Sequence, residues 1–342
     1  MGGDTMTEQE ARSLVTETGR KLLEDGLVVR TWGNISCRFN EEEFLITPSG
    51  LDYMQTTDED LVVYNMWTGE WEGEHKPSSE KGIHALAYKM YRGAEFVIHT
   101  HQPYATALSV YGFENMDITD EEWDRLGGVA SAAYGLPGTK FLQKEVEKAM
   151  KVGAHAILLE KHGALIIGAT RDEAYARAQL LEEVCKKNWL GQKYISNINA
   201  NVKRPWKDMV IHGLRETYPN ASWAESEATI TWSRGGKSIT AQLDDMAQMI
   251  GRTLTVVEAE DPCTLEEIVY DALATKNAVL VKGFGAIVNG MDEDDTIALG
   301  ALVDKACITA LHTNAARVKR QLSAVDCKLM HTIYQKKYSK LK

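Results

Sequence analysis

The chain has 342 residues, too many for one small core, which predicts two domains or one large one. Hydrophobic residues make up 44% and charged residues 25%, which excludes a largely disordered chain. The formal net charge is −11 and no long basic run occurs, so we expect no nucleic-acid partner, and an anionic ligand would need local hydrogen-bond donors.

The N-terminal half alternates helix-like and strand-like segments, which indicates a layered α/β domain. Predicted helices cover 7–25, 80–91, 104–110, 138–151 and 171–188, and predicted strands cover 35–39, 43–47, 61–64, 95–99 and 156–160. We place this domain at residues 1–200. The polar segment 197–206, which contains Pro205, is the predicted linker.

The rest of the chain, 207–342, echoes the first domain. "AILLEKHGALIIGATRDEAYARAQLLEEVCK" at 156–186 resembles "AVLVKGFGAIVNGMDEDDTIALGALVDKACI" at 278–308, and "FVIHTHQP" at 96–103 can be laid on "ATITWSRG" at 228–235. Shared features are a Lys, a Gly-Ala turn and an acidic helix start. We therefore predict a partial repeat of the first domain's C-terminal half.

Cysteine usage and hydropathy bear on the compartment. The five cysteines include no CxxC pair, which argues against a disulfide framework. No apolar run approaches the roughly 20 residues of a membrane span, and the acidic N-terminus does not resemble a signal peptide. We expect a cytoplasmic location and no membrane partner.

Three histidines indicate a metal site. His99 and His101 are two apart at the end of an apolar strand, so both imidazoles face one way. His162 follows a second apolar strand, and three imidazoles leave one position open, as a catalytic metal requires. His84 and His155 are interpreted as packing residues.

Three polar turns indicate an anion site. Ser78, Ser79 and Glu80 stand at a predicted helix start, where backbone N–H groups and the helix dipole favour an anion. The turns in "WGNISCR" and "ITPSGL" can also point amides at a phosphate. Each signal is weak alone, and the plain reading of "SSE" is a helix cap.

Taken in order, these segments resemble the class II aldolase and adducin family. The resemblance runs through "GNISCR", "LITPSGL", "PSSEKGIH", "VIHTHQPYATALS", "AAYGLPGT" and "LLEKHGALIIG", and covers roughly residues 8–195. It implies a layered α/β/α domain with a mostly antiparallel central sheet. It also implies an enzyme that assembles as a homo-oligomer, typically a ring-shaped tetramer.

The resemblance implies a role for each matched residue. His99, His101 and His162 match zinc ligands, with one Zn²⁺ per chain, and Glu80 matches a residue that is both a zinc ligand and the acid/base. The implied substrate-phosphate residues are Asn34, Ser49, Gly50, Ser78 and Ser79. Tyr134 matches a proton donor that reaches a neighbouring subunit's site.

The implied reaction is cleavage of a ketose 1-phosphate, a small-molecule sugar phosphate, to dihydroxyacetone phosphate and an aldehyde. Such a cleavage develops negative charge on two oxygens, which a metal stabilises as a Lewis acid. Within the family that the chain resembles, Glu80 favours an aldolase or a dehydratase over a 4-epimerase, which tends to carry Asp at this position. The alternatives are a sugar-phosphate dehydratase or epimerase, and a non-catalytic adducin-like scaffold.

The partial repeat is predicted to bind no zinc. In the alignment above, Thr231 and Ser233 replace His99 and His101, and Phe284 replaces His162. Packing residues persist without the ligands, so we interpret the repeat as structural. Tyr334 and Tyr338 lie in a basic tail that is either a solvated helix or a cover over the site.

Overall fold

The chain divides into two compact units, Met1–Asn188 and Trp189–Lys342, in a computed structural model that describes residues 6–195 and 204–338. Most of the predicted linker lies outside the described residues. The predicted C-terminal boundary of the linker is wrong, because Pro205 and Trp206 lie in the first turn of a helix, Arg204–Leu214. Proline is tolerated there, since first-turn N–H groups have no partner within the helix.

The first unit is built on one eight-stranded sheet. Its strands are β1 Asn34–Arg38, β2 Glu43–Ile46, β3 Val62–Asn65, β4 Trp71–Glu72, β5 Phe96–Thr100, β6 Val129–Ala132, β7 Ala156–Leu159 and β8 Gly163–Gly168. Their order across the sheet is β4-β3-β2-β1-β5-β8-β7-β6. The β6–β7 pair is parallel and the other pairs are antiparallel, which confirms the predicted sheet.

Helices cover both faces of this sheet. They are α1 Glu8–Glu24, α2 Lys81–Met90, α3 Pro103–Ser109, α4 Asp120–Leu126, α5 Lys140–Met150 and α6 Arg171–Lys187. Helices α2 and α5 pack together on one face over a core that contains Phe44, Tyr88 and Leu165. Helix α6 packs against β5 and β8 and also contacts α1 and α3, which gives the predicted α/β/α layers.

Two glycines let the central strands end close together. A Cβ on Gly163 would lie 2.1 Å from the carbonyl oxygen of Thr100, and a Cβ on Gly33 would lie 2.5 Å from that of His99. Such distances exclude any side chain. The ends of β1, β5 and β8 can therefore converge at one edge region, which is where the candidate site lies.

The second unit contains a four-stranded sheet and a two-stranded sheet. Its elements are α7 Arg204–Leu214, β9 Ser222–Ala224, α8 Glu227–Arg234, β10 Ile239–Thr240, α9 Asp244–Met249, β11 Thr253–Leu254, β12 Val256–Val257, α10 Pro262–Leu273, β13 Ala278–Val281, β14 Gly285–Val288, α11 Glu293–Ala316 and α12 Ala324–Tyr338. The larger sheet has the order β12-β13-β14-β9, with only β12–β13 parallel. This order matches β6-β7-β8-β5 of the first unit.

The pairing register corrects the sequence alignment of the repeat. Residues 227–234 form helix α8, whereas the segment aligned with them contains strand β5. Thr100 pairs with Ala164 in the first unit, and Ala224 pairs with Ala286 in the second. A Cβ on Gly285 would meet the oxygen of Ala224 at 2.5 Å, as the one on Gly163 would meet Thr100.

The counterparts of the predicted zinc ligands change accordingly. In this register, Trp223 replaces His99 and Glu225 replaces His101, so the predicted counterparts Thr231 and Ser233 are wrong. Phe284 keeps its place opposite His162. The repeat also covers more of the first domain than the predicted C-terminal half. Helix α7 packs on α10 as α2 packs on α5, so α7 is the counterpart of α2.

The C-terminal helix α12 is not simply solvated. It packs against α9, and Cys327, Met330 and Tyr334 are buried on its inner face. The side chain of Tyr338 lies outside the described residues. Among the residues that the structure describes, no helix is both long and apolar enough to cross a membrane.

Candidate metal centre

Four buried side chains converge where β5 and the β7–β8 turn meet. His99 is in β5, His101 follows it, His162 precedes β8, and Glu80 is the N-cap residue of α2. Nε2 of His99 lies 3.1 Å from Nε2 of His101 and 3.1 Å from Nε2 of His162. The candidate ligand atoms of all four lie within 4.8 Å of one another.

These separations fit a tetrahedral metal ion. A zinc–nitrogen bond is about 2.0–2.1 Å, so two nitrogens at tetrahedral corners are about 3.3–3.4 Å apart. The observed separations of 3.1 Å are close to that value. With all four ligand atoms within 4.8 Å of one another, the four side chains could hold one divalent ion.

The tautomer of His99 also suits a ligand. Its Nδ1 lies 2.9 Å from the carbonyl oxygen of Ala164, which can only accept a hydrogen bond. Nδ1 therefore carries the proton and Nε2 presents its lone pair to the centre. A backbone partner on the second ring nitrogen is the usual way in which a metal-binding imidazole is oriented.

Glu80 bridges the histidine cluster. Its Oε2 lies 3.0 Å from Nε2 of His99, and its Oε1 lies 3.2 Å from Nε2 of His162. Burial alone would raise the pKa of Glu80, but His99 and His162 in their protonated, metal-free forms hold that pKa well below its usual value through charge and hydrogen bonds. The carboxylate is thus kept ionised at the centre.

Asn34 is brought to Glu80 by the sheet register. It pairs with His99 across β1 and β5, and directly paired residues share one face of the sheet. Its Nδ2 lies 3.1 Å from Oε2 of Glu80. The side chain of Asn34, predicted to bind phosphate, is therefore engaged with the carboxylate.

Sequence reasoning missed the role of His84, which it treated as a packing residue. The His84 ring lies 2.5 Å from Oδ1 of Asn34 and 2.6 Å from Oγ of Ser36. Its position four residues after Glu80 was the available signal, because such residues share one helix face. Burial lowers the pKa of His84 to about 3. By contrast, His155 does pack, with its ring centre 4.8 Å from that of Tyr91.

The other predicted phosphate residues lie on two adjacent turns. An isolated bridge joins Pro48 to Pro77, so the turn with Ser49 and Gly50 lies beside the one with Ser78 and Ser79. The Ser49 N–H donates to the carbonyl of Lys76, 2.9 Å away. The Ser78 hydroxyl accepts from the Glu80 N–H at 3.2 Å, and Ser79 is exposed.

Tyr134 follows β6 and lies beside the residues that precede His162. Its N–H donates to Oε2 of Glu160 at 3.0 Å, and the Lys161 ammonium lies 5.0 Å from its ring centre. The loop that contains Tyr134 continues to Gly138, where an added Cβ would lie 3.5 Å from the Ser79 side chain. This loop therefore contacts the second predicted phosphate turn.

Comparison with known proteins identifies the family of the domain that contains this centre. Residues 13–189, just over half of the chain, match the model of the class II aldolase and adducin N-terminal domain. The chain belongs to this family. The match includes Asn34, Glu80 and the three histidines of the centre.

Relatives of this class II aldolase family member break carbon–carbon bonds. The chain is 37% identical over 166 residues (48% of this chain, 76% of the relative) to a 5-deoxy-D-ribulose 1-phosphate aldolase of Bacillus thuringiensis serovar kurstaki. It is 30% identical over 188 residues (53% and 88%) to a 3-oxo-tetronate 4-phosphate decarboxylase of Haemophilus influenzae. A solved L-fuculose 1-phosphate aldolase is similar at 30% identity and a TM-score of 0.51, covering 57% of this chain and 92% of that one. The prediction of a carbon–carbon lyase family is confirmed.

The second unit lies outside the family match and has different side chains at the position equivalent to the metal centre. The rings of Trp206 and Trp223 stack on Phe284, with centroids 5.9 and 6.2 Å away. The ammonium of buried Lys207 lies 5.5 Å from the Trp223 ring centre and forms an ion pair with Glu225. Aromatic rings and a lysine cation thus take the place of the imidazoles.

We therefore expect one metal ion per chain. Within the described residues, no other group of three or more His, Cys, Asp or Glu side chains is arranged to hold an ion. Elemental analysis of purified protein should give one equivalent of divalent metal. Phe284→Leu should leave that ratio unchanged, because Phe284 offers no ligand atom; a ratio of two would contradict this assignment.

Proposed function

We propose that the chain is a zinc-dependent aldolase that cleaves a ketose 1-phosphate to dihydroxyacetone phosphate and an aldehyde. The observation that carries the proposal is the buried centre of three converging Nε2 atoms and the Glu80 carboxylate. Its placement in a class II aldolase domain, and two aldolases among the relatives, support the reaction class.

Zinc is the metal that suits this ligand set best. Three imidazoles with one carboxylate give four nitrogen and oxygen ligands, which zinc accepts in tetrahedral geometry. Ca²⁺ and Mg²⁺ prefer six or more oxygen ligands. When bound, the ion would act as a Lewis acid toward the negative charge that develops on the substrate oxygens.

Glu80 is proposed as the acid/base. In the cleavage direction, the bond between C3 and C4 of the ketose breaks after the C4 hydroxyl loses its proton, and C3 later gains one. In its carboxylic acid form, Glu80 beside the centre would deliver that proton to C3 and return to the ionised state. Tyr134 is proposed to handle the proton of the C4 oxygen, from a neighbouring subunit of a homo-oligomer.

The phosphate of the substrate is proposed to bind at the two adjacent turns around Ser49 and Ser78. The protein is acidic overall, so neutral donors must recognise the anion through local hydrogen bonds. We expect the double change Ser78→Ala and Ser79→Ala to raise KM for a phosphorylated ketose by roughly 10-fold or more, since each lost bond to a charged group is worth about 1.5–3 kcal/mol.

The dephosphorylated ketose is the control for that prediction. The double variant should change its KM little, because the lost donors face the phosphate. Steady-state kinetics on both substrates makes the comparison. Equal increases in KM for the two substrates would count against phosphate recognition at these turns.

A decarboxylase is the second candidate, favoured by the Haemophilus influenzae relative. Loss of CO2 from a 3-oxo acid leaves the same kind of enediolate as retro-aldol cleavage, so one centre suits both reactions. The two differ in the group that leaves, an aldehyde or CO2.

A substrate screen on metal-loaded protein tests the proposal. Ketose 1-phosphates and 3-oxo acid phosphates are supplied separately, and dihydroxyacetone phosphate, aldehyde and CO2 are measured. Aldehyde release with dihydroxyacetone phosphate supports the aldolase, whereas CO2 release supports the second candidate. Bound metal without turnover of either class would favour a non-catalytic role.

A further inference from the structure

A chain of buried hydrogen bonds runs from Glu80 into the sheet. After the 3.1 Å contact between Asn34 Nδ2 and Glu80 Oε2, Asn34 Oδ1 lies 2.5 Å from His84 Nε2. His84 Nδ1 lies 2.6 Å from Ser36 Oγ, which lies 2.7 Å from the Tyr88 hydroxyl. All five side chains are at most 7% exposed.

The chemistry of these groups fixes the direction of every bond. An ionised carboxylate only accepts, so Asn34 must turn its NH2 toward Glu80 and its Oδ1 toward His84. Oδ1 also only accepts, so His84 must carry a proton on Nε2. The orientation of the Asn34 amide and the proton on His84 Nε2 both follow once Glu80 is ionised, whatever the direction of the hydroxyl hydrogen bonds of Ser36 and Tyr88.

The remaining bonds follow from a neutral imidazole. With the proton on Nε2, Nδ1 of His84 is an acceptor and takes the hydroxyl proton of Ser36. The Ser36 oxygen then accepts from Tyr88. Burial, which lowers the pKa of His84 to about 3, keeps the ring neutral. Each residue donates toward Glu80, and no donor faces another donor.

We propose that His84 is a positioning residue whose Nε2–H, supported by the hydroxyls of Ser36 and Tyr88, orients the Asn34 amide and thereby holds the Glu80 carboxylate at the metal centre. Its consequence for catalysis rests on the proposed function. Its consequence for metal affinity rests only on the centre itself, because Glu80 is one of the candidate ligands.

The positions of these residues explain how the hydrogen-bond chain links His84 to the metal centre. His84 lies one helical turn after Glu80 on α2, and Ser36 lies two residues after Asn34 on β1, so both pairs face one another across the helix–sheet interface. Residues that orient a metal ligand typically contribute 10–100-fold in metal affinity or activity. His84 should therefore matter although it contacts no ligand of the metal directly.

The tautomer can be observed without any assay of activity. In protein labelled with ¹⁵N-histidine, long-range ¹H–¹⁵N correlation spectra separate the Nε2–H, Nδ1–H and imidazolium forms. We expect His84 to be neutral with the proton on Nε2 near neutral pH, both in the wild type and in Ser36→Ala, because the Oδ1 of Asn34 only accepts. An Nδ1–H or imidazolium pattern in the wild type would overturn the proposal.

A matched pair of variants tests the effect on the centre. His84→Gln keeps an N–H donor near the Nε2 position, whereas His84→Met keeps a similar volume without a donor. Competition with a chelator should show metal affinity about 10-fold lower or more in His84→Met and near wild type in His84→Gln. Equal affinities in the two variants would refute the proposal, since packing alone would then account for His84.

Kinetics adds a second readout on the same pair. His84→Met should lower kcat by about 10-fold or more at saturating metal, with a smaller change in KM, while His84→Gln restores most of the rate. A wild type that shows the expected tautomer and affinities but cleaves no ketose phosphate would reject the proposed function and leave the positioning role standing.

Discussion

Replacing His99 or His162 with alanine is expected to remove the bound metal and the activity together. The Nε2 atoms of His99 and His162 lie 3.1 Å apart, and each also contacts an oxygen of Glu80. Loss of either imidazole leaves only two nitrogen ligands, which should hold the ion far more weakly than three. Elemental analysis and turnover on the same preparations measure both effects, and we expect metal well below one equivalent.

An exposed histidine provides the control for this experiment. His75 pairs with Asp60 at 2.9 Å on the surface of the first unit and is not in the group that could hold a metal. His75→Ala should keep both metal and rate. Full retention of metal in the His99 and His162 variants would contradict the assigned ligands.

Replacing Glu80 with glutamine is expected to cost at least on the order of 10²-fold in kcat, as loss of a general acid/base does. Glutamine keeps the shape of the side chain and can still accept from Asn34, but it cannot take up and return a proton. The three imidazoles remain, so most of the metal should be retained. Single-turnover kinetics on metal-loaded protein isolates this effect from product release.

Thermal unfolding and metal content identify a variant that is merely misfolded. The Glu80→Gln protein should unfold cooperatively and hold nearly as much metal as the wild type. Turnover equal to the wild type would show that another residue transfers the proton.

The metal centre was predictable from sequence because its ligands follow simple periodicities. His99 and His101 differ by one strand repeat, and His162 follows an apolar strand of ordinary length. The structure adds the distances that make these three a single group. Glu80 needed the family resemblance, since a carboxylate after two serines is usually only a helix cap.

The hydrogen-bond chain behind Glu80 was not predictable, because it depends on tertiary contacts. Asn34 and His84 are 50 residues apart, and only the packing of α2 on the sheet brings them together. The spacing of His84 from Glu80 places both residues on one helix face, but it does not identify Asn34 or Ser36 as hydrogen-bond partners.

The register of the repeat was mispredicted for a local reason. The β-branched residues of "ATITW" favour a strand, which suggested a match to β5. However, the Ser226 hydroxyl caps the N–H of Thr229 at 3.0 Å and starts α8, which packs against α11. Capping and tertiary packing overrode the residue propensity, and β9 takes the place of β5, with Trp223 rather than Thr231 at the position of His99.

The most direct test of the central claim is metal-dependent cleavage of a ketose 1-phosphate by the full chain. Protein is stripped with a chelator, reloaded with one equivalent of zinc, and assayed for dihydroxyacetone phosphate and aldehyde. We predict no activity in the stripped protein, full activity at one equivalent, and no restoration in His162→Ala. Cleavage that persists in the stripped protein, or that is unaffected by loss of His162, would contradict a metal-dependent lyase centred on these residues.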